Sequence, residues 1–373
     1  MPDFIDSIAS EVPLTDDARA ALRATGVTSF DQLDSITRAF PSLATVGVNV
    51  PRLSNMAVRH LSQAYSQAPA SGSAGTNTAP ITFGAMHPTS APWAPGQTVI
   101  LSSSAHAPAA GAGAAAPVSP PLNVWAKVWP VRDQGARGTC VSFAVTACVE
   151  IATAPPNALA PPDLSEQLLY WAIKTKTNDP NPQIDGTYLQ FARDALASEG
   201  VCDEPDWPYV LHSIPMNPGQ GTTGQPSSTA ISNALKNKIT TATYFTKPGS
   251  QSWVQLILNA LQTGKPVGVS LPVFQDPLVP HADNWNTGVG QAFGVVINPP
   301  PTSHVIGGHA VCITGFAPDV TEPLGGYFIF RNSWDVTWAY NAPSPGNTHS
   351  PRPGYGQISA TYVDNFLWEM FHI

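Results

Sequence analysis

Between Gln67 and Pro121 the chain consists almost entirely of Ala, Pro, Ser, Gly and Thr and carries almost no charge. Such a stretch buries too little apolar area to offset the entropy lost on ordering, so it reads as a linker. Extended pieces are predicted only near Trp93 and over Val99-Ile100-Leu101. A boundary of this composition divides the chain into a module over residues 1–66, a linker over 67–120 and a domain over 121–373.

The N-terminal module reads as short helices. Leu14-Thr15-Asp16-Asp17 starts one, Ala18, Leu22 and Val27 form its apolar side, and Gly26 stops it. Ser29 with Gln32 three places later predicts a second capped start, and helices continue through Val58 to Ala64. The stretch Leu22 to Val27 resembles a helix-hairpin-helix turn. The formal charge of −8 and the lack of a Lys/Arg stripe nevertheless argue against nucleic acid as a partner.

No apolar run is long enough to span a bilayer, so no membrane partner is predicted. Met1-Pro2-Asp3-Phe4-Ile5-Asp6 lacks the basic flank and apolar block of a secretory signal. A cytoplasmic location is the default, with a non-classical export route as the alternative. The four cysteines are widely spaced and form no CxxC pair, which predicts buried thiols rather than a disulfide scaffold.

The third segment changes period along its length. Cys140 to Ile151 has helical spacing after a glycine-containing turn, and further helices are predicted over Ser165 to Lys174 and Tyr188 to Ser198. Strands are then predicted over 239–245, 266–273, 309–316, 327–332 and 356–360, interrupted by a helix over Trp253 to Leu261. Helices first and strands later describe an α+β domain.

A helix start stabilises a thiolate through aligned peptide dipoles and free amides, which singles out Cys140. Gln134, in Gln134-Gly135-Ala136-Arg137-Gly138-Thr139, offers an amide that can join the Cys140 N–H at a developing oxyanion. His309, behind Gly307-Gly308, is the candidate proton partner. Asn332 and Trp334, in Arg331-Asn332-Ser333-Trp334, can orient that ring and shield it. His87, His106, His349 and His372 read as surface residues. His304 and His309 lack a third ligand nearby, so no metal and no cofactor is predicted.

Taken in order, these pieces resemble the papain-like cysteine peptidases. Pro130-Val131-Arg132-Asp133-Gln134-Gly135 is similar to the family's oxyanion-glutamine block, and Cys140 with its helix to the nucleophile helix. Leu164-Ser165-Glu166-Gln167 is similar to its LSEQ helix start, and Gly308-His309-Ala310-Val311 to its catalytic-histidine strand. Arg331-Asn332-Ser333-Trp334, Trp338 and Gly354-Tyr355-Gly356 resemble its NSW…W…GYG ending. The resemblance implies a two-lobed papain-like domain, a helical lobe packed on a β-rich lobe with the cleft between them. It also implies a Cys140, His309 and Asn332 site that hydrolyses peptide bonds through an acyl-enzyme, with protein or peptide substrates. Gly186 falls at the family's cleft-wall glycine, where an extended substrate would add as a strand.

Three departures stand out. Arg137 and Val141 replace the cysteine of the common disulfide and the tryptophan after the nucleophile, and Asp335 replaces the glycine after Asn-Ser-Trp. A carboxylate there could alter the histidine's pKa or block the site. The alternatives to a peptidase are a catalytically impaired papain-fold module that binds proteins and a transamidase on the same triad. For the N-terminal module two roles are predicted: covering the cleft, as in a zymogen, until cleavage near Pro121, or docking a partner protein.

Overall fold

In the computed structural model the described residues are 4–9, 11–24 and scattered positions from 27 to 57, then 83–88, 122–123 and most of 130–373. The gaps in the last span are 156–161, 212–224, 247–248, 276–282, 300–302, 320–321, 341 and 343–351. The capped start at Ser29 and Gln32, the helices over Val58 to Ala64, the extended pieces at Trp93 and Val99 to Leu101, His106 and His349 lie outside the described residues.

The N-terminal residues form α1 (Phe4–Ile8) and α2 (Asp16–Ala24). Thr15 Oγ1 accepts from the Ala18 amide at 3.2 Å, and Asp16 and Asp17 occupy the positive first turn of α2. Ile5, Ile8, Ala18, Leu22, Leu33 and Met56 gather in a core of their own.

After β1 (Leu122–Asn123) the helical lobe follows: α3 (Cys140–Thr153), α4 (Glu166–Lys176), α5 (Leu189–Ser198) and α6 (Ser228–Ala234). Residues 140–151 of α3 are all buried, so this helix is apolar all round, as a helix enclosed between layers must be. In α4, Ser165 Oγ accepts from the Leu168 amide at 3.0 Å, fixing the helix where the Leu-Ser-Glu-Gln run begins.

The β-rich lobe holds β2 (Thr243–Phe245), α7 (Trp253–Gln262), β3 (Val267–Gln275), α8 (Gly288–Phe293), β4 (Val295–Val296) and β5 (His304–Pro318). It ends with β6 (Gly326–Arg331), β7 (Tyr355–Ser359), α9 (Ala360–Phe366) and β8 (Glu369–His372). One sheet runs β2-β8-β3-β5-β6-β7-β4, with β1 also on β5. Within it β3 and β5 pair antiparallel, Leu271 opposite His309 and Gly268 opposite Cys312.

Strand β5 carries the junction of the lobes because its side chains alternate. Ala310 and Cys312 join the helical core with Cys140, Val141 and Cys148, while Val311 and Ile313 join the sheet core with Val269, Phe330 and Trp334. A buried ion pair closes the same junction. Arg331 Nη1 lies 2.6 Å from Glu150 Oε2, tying the strand end before Asn332 to the helix that starts at Cys140. All four cysteines are free and buried, and the sulfurs of Cys148 and Cys312 are 3.5 Å apart.

Candidate active site

Cys140 is the first residue of α3, behind Thr139, whose hydroxyl caps nothing and instead meets Tyr209 Oη at 2.7 Å. Its sulfur is fully buried. Burial pushes the thiol up to about 11, countered by backbone hydrogen bonds at Ala310, Gly84, Val141 and Ala85. Ala310, next to His309, packs in the same buried cluster as Cys140.

His309 Nε2 and Asn332 Oδ1 are 2.7 Å apart, and the ring stacks on Trp334 at 4.2 Å between centroids. With the Asn332 amide oxygen as acceptor, Nε2 carries the hydrogen and Nδ1 is the basic nitrogen. Nδ1 is buried without a hydrogen-bond partner. Burial draws the imidazole down to about 4, although the Asn332 bond works in the opposite direction. A neutral thiol and a neutral imidazole follow near pH 7.

Gln134 is buried and spans the two lobes. Its Nε2 donates to Arg137 O at 2.8 Å, its Oε1 accepts from Ser333 Oγ at 2.7 Å, and its backbone N–H donates to Ser333 O at 2.9 Å. The loop before Cys140 is thereby fastened to the residue after Asn332.

Asp335 sits at φ 59°, the left-handed region in which glycine is otherwise favoured. Its carboxylate accepts from the Val336 amide at 2.6 Å and from Thr337 Oγ1 at 3.2 Å, closing its own turn. The influences on the His309 ring are burial and Asn332, with no part from Asp335.

The expectation for Gly186 shifts by one residue. Gly186 N–H donates to Tyr170 Oη at 3.2 Å and its carbonyl accepts from Lys174 Nζ, so both of its backbone groups turn away from the cleft. Thr187 supplies the pairing edge instead, and the edge is occupied. Thr187 N–H donates to Gly84 O at 2.8 Å, and Met86 N–H donates to Thr187 O at 2.9 Å, a parallel bridge centred on Ala85. Ala85 N–H also donates to Gly308 O at 2.9 Å. Residues 83–88, from the stretch expected to be linker, therefore lie between the cleft wall and the histidine strand, across Cys140.

The sequence reading also missed Trp285, which is buried and meets His309 edge-on at 5.2 Å. It lies between the strands predicted over 266–273 and 309–316, in a stretch for which no element was predicted. A lone tryptophan in a Pro- and Gly-rich loop was the available signal. Among the described residues no group of three or more His, Cys, Asp or Glu gathers where it could hold a metal ion.

Against known proteins, the family model described as papain family cysteine protease matches residues 123–342. The chain belongs to the papain family of cysteine proteases. Within that family it is 26% identical over 214 residues to an uncharacterized peptidase C1-like protein of Acanthamoeba polyphaga mimivirus, covering 56% of this chain. The chain spans 61% of the length of that curated relative. Among solved structures it is similar to xylellain, a cysteine protease from Xylella fastidiosa, with a TM-score of 0.52 and 18% identity over 80% of this chain and 98% of that one. The likeness to xylellain shows the papain-like α+β fold.

Proposed function

We propose that this papain-family chain is a cysteine endopeptidase that hydrolyses peptide bonds at Cys140 and is held in a covered state by residues 83–88. The observation that carries the reading is the 2.7 Å bond from His309 to Asn332 beneath Trp334, on a strand whose next residue, Ala310, packs in one buried cluster with Cys140.

In the open enzyme, water and substrate replace the covering segment and the burial that neutralises both groups is relieved. The proton then moves from Cys140 to His309, the helix start favours the thiolate, and the thiolate attacks the substrate carbonyl. The oxyanion is met by the Cys140 N–H and the Gln134 amide, a contribution of about 3 kcal/mol per donor. The imidazolium gives its proton to the leaving amine, and the neutral ring then activates water to release the acyl group. Asn332 holds the ring in one tautomer, and Trp334 and Trp285 keep water from that bond.

The test compares the full chain with Cys140→Ala on a mixed peptide library, each with and without Gly84→Val to displace the cover. Cleavage that requires both Cys140 and an open cleft supports the reading. A second reading, a papain-fold module that binds proteins without cleaving them, draws on the neutral state of Cys140 and His309. Failure of an epoxysuccinyl probe to label Cys140 in the Gly84→Val chain would favour it. The N-terminal module, in the favoured reading, delivers residues 83–88 to the cleft until the chain is cut near Pro121.

A further inference from the structure

The loop that presents Thr187 is held by polar contacts converging from two directions. Asp185 Oδ2 accepts from the Gly138 amide at 3.1 Å, and Oδ1 accepts from Tyr170 Oη at 3.1 Å. Tyr170 Oη in turn accepts from the Gly186 amide. From below, Lys174 Nζ donates to Asp179 Oδ2 at 2.8 Å, to Asn181 O at 3.0 Å and to Gly186 O. Thr187 Oγ1 donates to the same Asp179 oxygen at 2.8 Å. Lys174 and Asp179 are buried, so losing one partner would strand the other.

Gly138 lies two residues before the nucleophile, and a β-carbon on it would meet both Asp185 Cβ and the Gly186 nitrogen at 3.1 Å. The nucleophile loop and the cleft wall are therefore in direct contact, with Asp185 as the side chain that joins them. Thr187 is left with its N–H and C=O directed at whatever extended chain fills the cleft.

We infer that Asp185 is a positioning residue: with Tyr170 and Lys174 it fixes the Thr187 edge relative to Cys140, and so sets how tightly the cleft holds an extended peptide, the chain's own residues 83–88 included. This inference rests on the peptidase reading only for its second measurement. A side chain that joins two backbone segments acts on binding through the geometry of the edge, so its loss weakens peptide capture more than the bond-making steps.

The first measurement is the rate of iodoacetamide alkylation of Cys140 in the full-length chain, followed by mass spectrometry of the peptide that contains it. Asp185→Ala is expected to raise the rate about tenfold as residues 83–88 lose their seat. Asp185→Asn, which keeps an acceptor for the Gly138 amide, is expected to stay within about threefold of the wild type. In a Gly84→Val chain, whose segment is already displaced, Asp185→Ala should add nothing. Tyr170→Phe, expected to raise the rate about threefold, keeps the test decisive if Asp185→Ala does not fold.

An Asp185→Ala rate equal to wild type, an Asp185→Asn rate matching Asp185→Ala, or a further rise in the Gly84→Val chain would each overturn the inference. The second measurement is peptide turnover in the Gly84→Val chain, where Asp185→Ala should raise KM about tenfold and change kcat less than threefold or so. An alkylation pattern as expected with no turnover would support the positioning role and end the peptidase reading. Turnover with a flat alkylation pattern, or a loss confined to kcat, would do the reverse.

Discussion

Gly84 and Gly138 meet backbone to backbone across the cleft: a β-carbon on Gly84 would fall 2.1 Å from the Gly138 carbonyl oxygen. Backbone atoms on that side cannot swing aside as a flexible side chain can. Gly84→Val should therefore expel residues 83–88 and expose Cys140. The expected outcome is a rise of about tenfold or more in Cys140 alkylation at pH 7. An unchanged rate would mean that the segment does not govern access.

Covering and uncovering should also change how the thiol titrates. In the covered state burial pushes Cys140 up to about 11, so alkylation of the wild type should climb with pH throughout the alkaline range. In the Gly84→Val chain His309 can hold the proton, and alkylation should persist well below pH 8. Parallel pH profiles for the two chains would argue against an ion pair in the open site.

In the proposed mechanism Gln134 serves two roles that separate on substitution. Gln134→Ala should lower kcat about 100-fold through loss of an oxyanion donor. It should also cost about 1–3 kcal/mol of stability, because Ser333 Oγ and Arg137 O lose their partner. Turnover by the Gly84→Val chain with and without the change, alongside denaturant unfolding, reads both effects.

The imidazole of His309 links stability to pH. Its folded pKa is about 4 against an ordinary 6.5, so between those values the unfolded chain binds a proton that the folded chain does not. Stability is thus gained as pH rises through that window and lost as it falls. Relative to His309→Gln, the wild type should lose on the order of 3 kcal/mol between pH 6.5 and 4. Glu204 and Glu369, each pushed up to about 7 chiefly by burial, act in the opposite sense but equally in both chains. Urea titrations of the pair at matched pH measure the difference, and a flat difference would mean that the ring is charged when folded.

The Glu150 and Arg331 pair should be more sensitive to losing one member than both. Each side chain is almost wholly enclosed, 0% and 4% exposed, so an orphaned charge has no water to turn to. Glu150→Ala should cost about 3–5 kcal/mol, and joining it to Arg331→Met should recover part of that. Thermal melts of the two singles and the double form the cycle, and strict additivity would contradict the expectation.

The elements with a strong period were legible in the residues. Helix Cys140–Thr153 and strands Val267–Gln275 and Gly326–Arg331 were predicted near their observed limits, because a buried helix and buried strands leave continuous apolar runs, whereas strand His304–Pro318 was predicted only over its central residues 309–316. The pairing of His309 with Asn332 was proposed from residue chemistry and strengthened by the resemblance, because 23 residues and a strand turn separate the two and no periodic pattern links them. Strand Glu369–His372 escaped notice because Glu369 reads as an exposed charge. It is in fact buried, accepting from Tyr244, Ser270 and the Leu189 amide. Residues 83–88 escaped for a different reason. They dock through backbone hydrogen bonds, a missing side chain at Gly84 and only two side chains that join the apolar clusters, Phe83 and Ala85, too few to produce a hydrophobic pattern.

No covalent cross-link braces the wall at Thr187, for every cysteine in the chain is a free thiol. Carboxylates, a lysine and a phenol hold it instead. Dithiothreitol added to keep the thiols reduced should consequently leave the grip on a bound peptide untouched.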